Sequence, residues 1–99
     1  MGSLNVTALA DHVHELLYVD LSDNLFTGDL PDDLFRMTRL QSLVLSGNRI
    51  TGTLSEKFGR LKELRHIDLS ANGLHGPLPK SIGELSRLEV LYLGESGLE

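Results

Sequence analysis

The chain contains no cysteine. That excludes a disulfide framework and any thiolate zinc site, the usual staples of a small secreted domain. A cytoplasmic and a secreted location both stay open, because a repeat protein can stand without bridges. Long apolar runs are also missing. None exceeds four residues, as in Leu16-Leu17-Tyr18-Val19, far short of what spans a bilayer. Lysine and arginine are absent from residues 1–33, and the net charge is −5. An acidic chain repels phosphate backbones, so nucleic acid is not an expected partner. No signal peptide is visible at the start. Met1-Gly2-Ser3 and the final Leu98-Glu99 read as added cloning residues, so the missing signal says little about the parent protein.

What is present fits one small domain. The 99 residues are 40% apolar and 23% charged, ordinary values for a globular protein. A chain this short buries a thin core.

A fixed period decides the architecture. Asn24, Asn48 and Asn72 are 24 residues apart. The same step relates Leu16, Leu40, Leu64 and Leu88. It relates Val19, Leu43, Ile67 and Leu91, and again Leu21, Leu45, Leu69 and Leu93. Phe26, Ile50, Leu74 and Leu98 keep it, as do Gly28, Gly52 and Gly76, and Leu30, Leu54 and Leu78. Leu34, Phe58 and Ile82 follow, then Met37, Leu61 and Leu85. No insertion breaks the register over residues 16–99, and chance does not put so many columns in phase.

Each column has a physical reason. The x-Leu-x-Leu alternation has the period of a strand, so its leucines point to one side. One repeat cannot bury that side, whereas stacked repeats bury it continuously and pair their strands in parallel. The asparagine sits where the strand must turn. Its amide carries donors and an acceptor, so it can serve backbone groups of its own turn and of the neighbouring one. The glycine column permits backbone shapes that a Cβ resists. Pro31 and Pro79 end pairing on the far side. The i, i+3 spacing of Leu34/Met37, Phe58/Leu61 and Ile82/Leu85 matches a short helix or 3₁₀ turn with its apolar side inward.

The unit Leu64-Arg65-His66-Ile67-Asp68-Leu69-Ser70-Ala71-Asn72-Gly73-Leu74 resembles the leucine-rich repeat, L-x-x-L-x-L-x-x-N-x-L. The continuation Gly76-Pro77-Leu78-Pro79, with Ile82 and Leu85, is similar to the plant-type subclass, which also occurs in some bacterial proteins. The resemblance implies an α/β, right-handed solenoid. Short parallel strands would line the concave face, with 3₁₀ or short helical turns on the convex face. The expected organisation is a single domain over residues 1–99. A helical half-repeat covers 1–15, full repeats cover 16–39, 40–63 and 64–87, and a partial fourth covers 88–99.

The ends depart from the pattern. Val6, Ala10 and Val13 fall in the columns of Leu30, Leu34 and Met37. The same stretch reads as an amphipathic helix with Asn5 or Thr7 as N-cap and Val6, Ala10, Val13 and Leu17 on one stripe. It lacks the cysteine-bearing cap of plant receptor ectodomains, which weakens the cell-surface reading. At the other end the asparagine column becomes Ser96, and nothing polar covers the last stacking face. Terminal repeats need such cover, so either more repeats follow or self-association through the uncapped C-terminal repeat supplies it.

The strand residues that alternate with the core leucines are the candidate site. One column is Tyr18, Ser42, His66 and Val90, and the second is Asp20, Val44, Asp68 and Tyr92. Leu17, Gln41, Arg65 and Glu89 flank them, and Asp23, Gly47, Ala71 and Glu95 lie beyond the strands. In the family that the chain resembles, such variable concave positions commonly bind protein or peptide partners. Tyrosine suits the task because it buries area at little entropic cost. The expected function is a protein-protein interaction module, with a self-assembling or truncated repeat fragment of purely structural role as the alternative.

Charge is segregated along the chain. Residues 1–33 hold seven acids and no Lys or Arg; residues 34–66 hold Arg36, Arg39, Arg49, Lys57, Arg60, Lys62 and Arg65 against Glu56 and Glu63; residues 67–99 hold five acids against Lys80 and Arg87. A basic belt between acidic ends can steer a partner.

Catalysis and metal binding are not expected. Ser42, His66 and Asp68 fall close together on neighbouring strands, but a triad needs oxyanion donors and a sheltered pocket, which an open strand face lacks. His12 and His14 would point to different faces of a helix, with no third ligand in view. No cofactor is implied, since every glycine column is explained by the repeat. Asn5-Val6-Thr7 is a glycosylation sequon, informative only for a secreted eukaryotic parent.

Overall fold

A computed structural model describes residues 15–94, 97 and 98. The helical half-repeat expected over 1–15 lies outside these residues except for Glu15, as do Ser96, Glu95 and the sequon.

Each 24-residue coil begins with a three-residue strand: β1 (Tyr18–Asp20), β3 (Ser42–Val44), β5 (His66–Asp68) and β7 (Val90–Tyr92). These form one parallel sheet in the order β1-β3-β5-β7. The pairing register is the repeat itself. Val19 faces Leu43, Leu43 faces Ile67, and Ile67 faces Leu91. Backbone bonds continue the ladder past the strand ends, from the Arg65 amide to Gln41 O at 2.8 Å and from the Leu45 amide to Asp68 O at 2.9 Å.

The asparagine column performs the double role expected of it. Asn48 donates to Leu45 O in its own coil at 2.9 Å and to Leu21 O in the preceding coil at 3.0 Å, and its Oδ1 accepts from the Phe26 amide at 3.2 Å. Asn72 repeats the pattern one coil later, with Leu69 O, Leu45 O and the Ile50 amide. Both side chains are buried. Asn24 bonds within its own turn, to Leu21 O and Ser22 O.

The residue before each asparagine turns left-handed. Asp23, Gly47 and Ala71 have φ of 54°, 73° and 54°. Glycine takes this shape freely and aspartate tolerates it, whereas alanine meets steric resistance there. At Gly47 a Cβ would also land on Asp23 Oδ1 of the coil below.

A second parallel sheet, absent from the sequence-based expectation, follows the asparagine turn: β2 (Thr27–Gly28), β4 (Arg49–Gly52), β6 (Gly73–Gly76) and β8 (Gly97–Leu98), in that order. Its partners are not 24 residues apart. Thr27 faces Arg49, Thr51 faces Gly73 and His75 faces Gly97. A slip of two residues keeps the same side chains inward, because strand side chains alternate with period two. Gly28, Gly52 and Gly76 close these strands with φ of 80°, 93° and 85°.

The coil returns through 3₁₀ helices at Asp32–Arg36, Glu56–Arg60 and Lys80–Glu84. Pro31 and Pro79 precede the first and third in extended conformation, and Ser55 caps the second by accepting from the Lys57 amide at 3.0 Å. Glu56 reaches across to the next coil, where its two oxygens accept from the Lys80 and Ser81 amides at 3.0 and 3.1 Å. This stitches neighbouring helix starts together.

The core fills the space between sheets and helices. Met37, Leu40, Leu43, Leu45, Phe58, Leu61, Leu64, Ile67 and Leu69 are fully buried. The same columns in the first coil, Leu16, Val19 and Leu21, and in the last, Leu88, Leu91 and Leu93, are only partly buried. In these sheet-side columns burial is complete only in the two middle coils, as stacked repeats require, whereas on the helix side Leu34 and Met37 of the first coil are already buried.

The Glu56 contact makes stability depend on pH. The Ser81 amide, above all, holds the Glu56 carboxyl below the usual glutamate range. A depressed carboxyl favours the folded state above the unfolded pKa, and that contribution fades as pH falls through the folded value. The urea midpoint should therefore stay level down to about pH 4.5 and drop below it. Glu56→Gln should lower the midpoint at neutral pH and make the acid decline shallower. An unchanged acid decline would show that Glu56 is not one of its sources.

Candidate functional site

The middle residue of each strand in the β1-β3-β5-β7 sheet packs on the core, so the outer two face the other way. Pairing lines them up as the two expected columns: Tyr18, Ser42, His66 and Val90, then Asp20, Val44, Asp68 and Tyr92. Neighbours within a column stand about 4.8 Å apart, one strand spacing.

The members differ in reach. Tyr18 is 69% exposed and Tyr92 is 55% exposed, at diagonally opposite corners of the sheet. Ser42, Val44, His66, Asp68 and Val90 are half-buried among neighbouring side chains, and Asp20 is exposed. The His66 ring meets Tyr92 edge-on, with centroids 5.8 Å apart and planes at 69°. Such a pair holds both rings in place. Tyr18 Oη donates to Gln41 Oε1 over 3.5 Å, a long bond to a flanking-column residue.

The two acids have local work. Asp20 Oδ1 accepts from the Ser22 amide at 3.0 Å and from its hydroxyl at 2.7 Å. Asp68 makes the same pair of bonds to Ser70, at 3.0 and 2.6 Å. The Ser22 hydroxyl, and then its amide, hold the Asp20 carboxyl below the usual range. The Asp-Leu-Ser spacing at both places is the signal for this turn. Asp68 thus serves Ser70, and among the described residues no hydrogen bond joins Ser42 to His66 or His66 to Asp68.

Among the described residues no group of three His, Asp or Glu is gathered for a metal ion, and no helix is long and apolar enough to cross a membrane. A shallow groove lies on the helix side of the coils, lined by Thr53, Leu54, Glu56, Pro77, Leu78, Pro79 and Lys80. Its one carboxylate is already engaged by backbone amides.

Comparison with solved structures places this geometry. The leucine-rich-repeat ectodomain of the plant membrane receptor kinase GASSHO1/SCHENGEN3 from Arabidopsis thaliana, in complex with CASPARIAN STRIP INTEGRITY FACTOR 2, superimposes with a TM-score of 0.89 at 33% identity. That match covers 98% of this chain and 11% of the ectodomain. The plant peptide hormone receptor RGFR1, in complex with RGF2, matches with a TM-score of 0.88 at 31% identity, over 98% of this chain and 15% of the receptor. A leucine-rich-repeat protein of Leptospira interrogans is 39% identical, with a TM-score of 0.80 over 90% of this chain and 22% of that one. The chain therefore spans a small part of the length of each. No curated protein is similar to it at a significant level. Leucine-rich-repeat family profiles match residues 15–37 and 38–98. With asparagines bridging successive coils and strands paired at the repeat period, the chain belongs to the leucine-rich-repeat family, in its plant-type form.

Proposed function

We propose that the outer face of the β1-β3-β5-β7 sheet, the concave side of the solenoid, binds a protein or peptide partner, and that the chain works as a binding module and not as an enzyme. One observation carries this reading. Four large apolar side chains are exposed among the described residues, and three of them, Leu17, Tyr18 and Tyr92, lie on or beside this one face. Leu17 and Tyr18 adjoin at one corner and Tyr92 stands at the opposite one, so the face offers an exposed apolar anchor at each end. Similarity to receptors solved with peptide hormones supports the same conclusion.

Tyr18, His66 and Tyr92 are the main contacts. Ser42, Val44 and Val90 form the floor between them, and Asp20 and Asp68 shape its edge. Alanine at all three aromatic positions should weaken partner binding by at least about 100-fold, since buried aromatic contacts dominate interface energies. Capture from lysate of the source organism should enrich one partner with the wild-type chain and lose it with the triple variant, while the circular dichroism spectrum is unchanged. Equal enrichment by both would rule this face out.

Self-association is the second reading, favoured by the partly buried Leu88, Leu91 and Leu93 of the last coil. A strict monomer by light scattering at high concentration would dismiss it.

A further inference from the structure

The basic residues of the middle third gather on one rim of the recognition face. The chain leaves each 3₁₀ helix, makes a tight turn and enters the next strand through residues 36–41 and 60–65. These two segments are built alike: Leu40 N donates to Met37 O at 3.0 Å, and Leu64 N donates to Leu61 O at 3.1 Å. They are also stacked. The Arg65 and His66 amides both donate to Gln41 O, at 2.8 and 3.1 Å. Arg36, Arg39, Arg60, Lys62 and Arg65 belong to these two segments and are all exposed.

Few local acids offset them. Arg36 is 3.7 Å from Asp33, and Glu63 is engaged by Arg87 of the following coil at 3.0 Å. Arg39, Arg60, Lys62 and Arg65 have no ion pair among the described residues. The repeat places Arg60 over Arg36, and like charges held side by side cost stability. Four uncompensated cations on a chain of net charge −5 are a local reversal of the protein's field.

We propose that this rim binds a short acidic segment of a partner protein, two to four Asp or Glu side chains long, next to the aromatic contacts of the sheet. The proposal rests on the recognition-face reading for its position, and the rim's own chemistry selects the class of ligand. Acids bound the rim on both sides. Glu15 stands one repeat before Arg39, and Glu84 and Glu89 stand one repeat after Arg60 and Arg65. A nucleic-acid backbone, with a charge every 3.4 Å or so along each strand, would run from the cations onto these acids. An anionic bilayer would press its plane against both. A run of a few carboxylates ends before reaching either.

A synthetic octaglutamate peptide separates these outcomes, titrated into the full isotope-labelled chain at low and at physiological salt. Amide shifts should move at residues 36–41 and 60–65, weaken steeply with salt, and be reduced at least tenfold in affinity by Arg39→Glu with Lys62→Glu. Tyr18→Ala with Tyr92→Ala should leave octaglutamate binding unchanged. Failure of the aromatic variants in partner capture therefore tests the face, and failure here tests the rim. Octalysine in place of octaglutamate should leave the rim shifts unmoved. Absence of rim shifts with octaglutamate would overturn the proposal. So would tighter binding to a twelve-nucleotide single-stranded DNA, or to phosphatidylserine vesicles, than to the peptide.

Discussion

Asn48→Leu should destabilise the fold by on the order of 3 kcal/mol or more, read as a lowered urea midpoint with an unchanged slope. The buried amide makes its three shortest bonds to the Phe26 N–H, the Leu21 carbonyl and the Leu45 carbonyl. Leucine has similar bulk and no polar atom, so it keeps water out while orphaning the Phe26 N–H; the Leu21 and Leu45 carbonyls each lose one bond but keep the amides of Asn24 and Asn72. The orphaned donor costs about 1–3 kcal/mol, and each of the two lost carbonyl bonds about 0.5–1.5 kcal/mol more. Two of the three groups belong to the first coil and one to the second, so the damage falls on the interface that couples repeats. Asn24→Leu is the control. Asn24 is partly exposed and, among the described residues, bonds only inside its own turn, and its loss should cost roughly 1 kcal/mol. Equal effects at the two positions would mean that the bonds between coils carry no weight.

Phe58→Ala should cost about 3–5 kcal/mol. Phe58 is fully buried, and its ring stands edge-on to Phe35 of the preceding coil with centroids 5.1 Å apart. Removing it loses the transfer energy of a large apolar group, opens a cavity and breaks an aromatic pair worth about 0.5–1.5 kcal/mol beyond area. The core cannot collapse readily into the gap, because the neighbouring columns are themselves pinned by strand pairing. Leu25→Ala supplies the contrast. Leu25 is 49% exposed, and its truncation should change stability by less than about 0.5 kcal/mol. If thermal melts showed Phe58→Ala within that same margin, the shared interior would not be what holds the coils together.

The repeat made most of this fold readable before any coordinates. Column positions such as Leu43 and Ile67 predict strand partners one period apart, and these are the pairs that form. The asparagine role follows from what an amide can donate and accept. The second sheet is hidden for a physical reason. Its strands are two to four residues long and pair 22 residues apart, for example Thr27 with Arg49, so neither alternation nor the 24-residue period marks them. The Glu56 clasp on the next coil's Lys80 and Ser81 amides is equally invisible. Glu56 is one exposed acid among many, and only the stacking of coils puts it over an unsatisfied helix start.

The face was legible as a pair of columns, but not as an energetic map. Asp20 and Asp68 sit in the right register, yet each gives one oxygen to a serine two residues on. The edge-on contact between His66 and Tyr92 joins different columns on neighbouring strands, which no spacing along the chain encodes. Charge shows the same limit. The basic stretch of residues 34–66 is plain in the sequence, whereas its concentration on one rim depends on residues 36–41 and 60–65 lying one above the other.

Amide hydrogen exchange at Phe26 and Ile50 tests the stacking most directly. Neither amide has a carbonyl of its own coil to bond, and each is held by the asparagine of the coil above. Both should exchange as slowly as the amides of the β3 and β5 strands, and Asn48→Leu should release Phe26 while Ile50 stays protected. Exchange at loop-like rates in the wild-type chain would mean that the asparagines do not bridge the coils, and that the ordered face built on them does not exist.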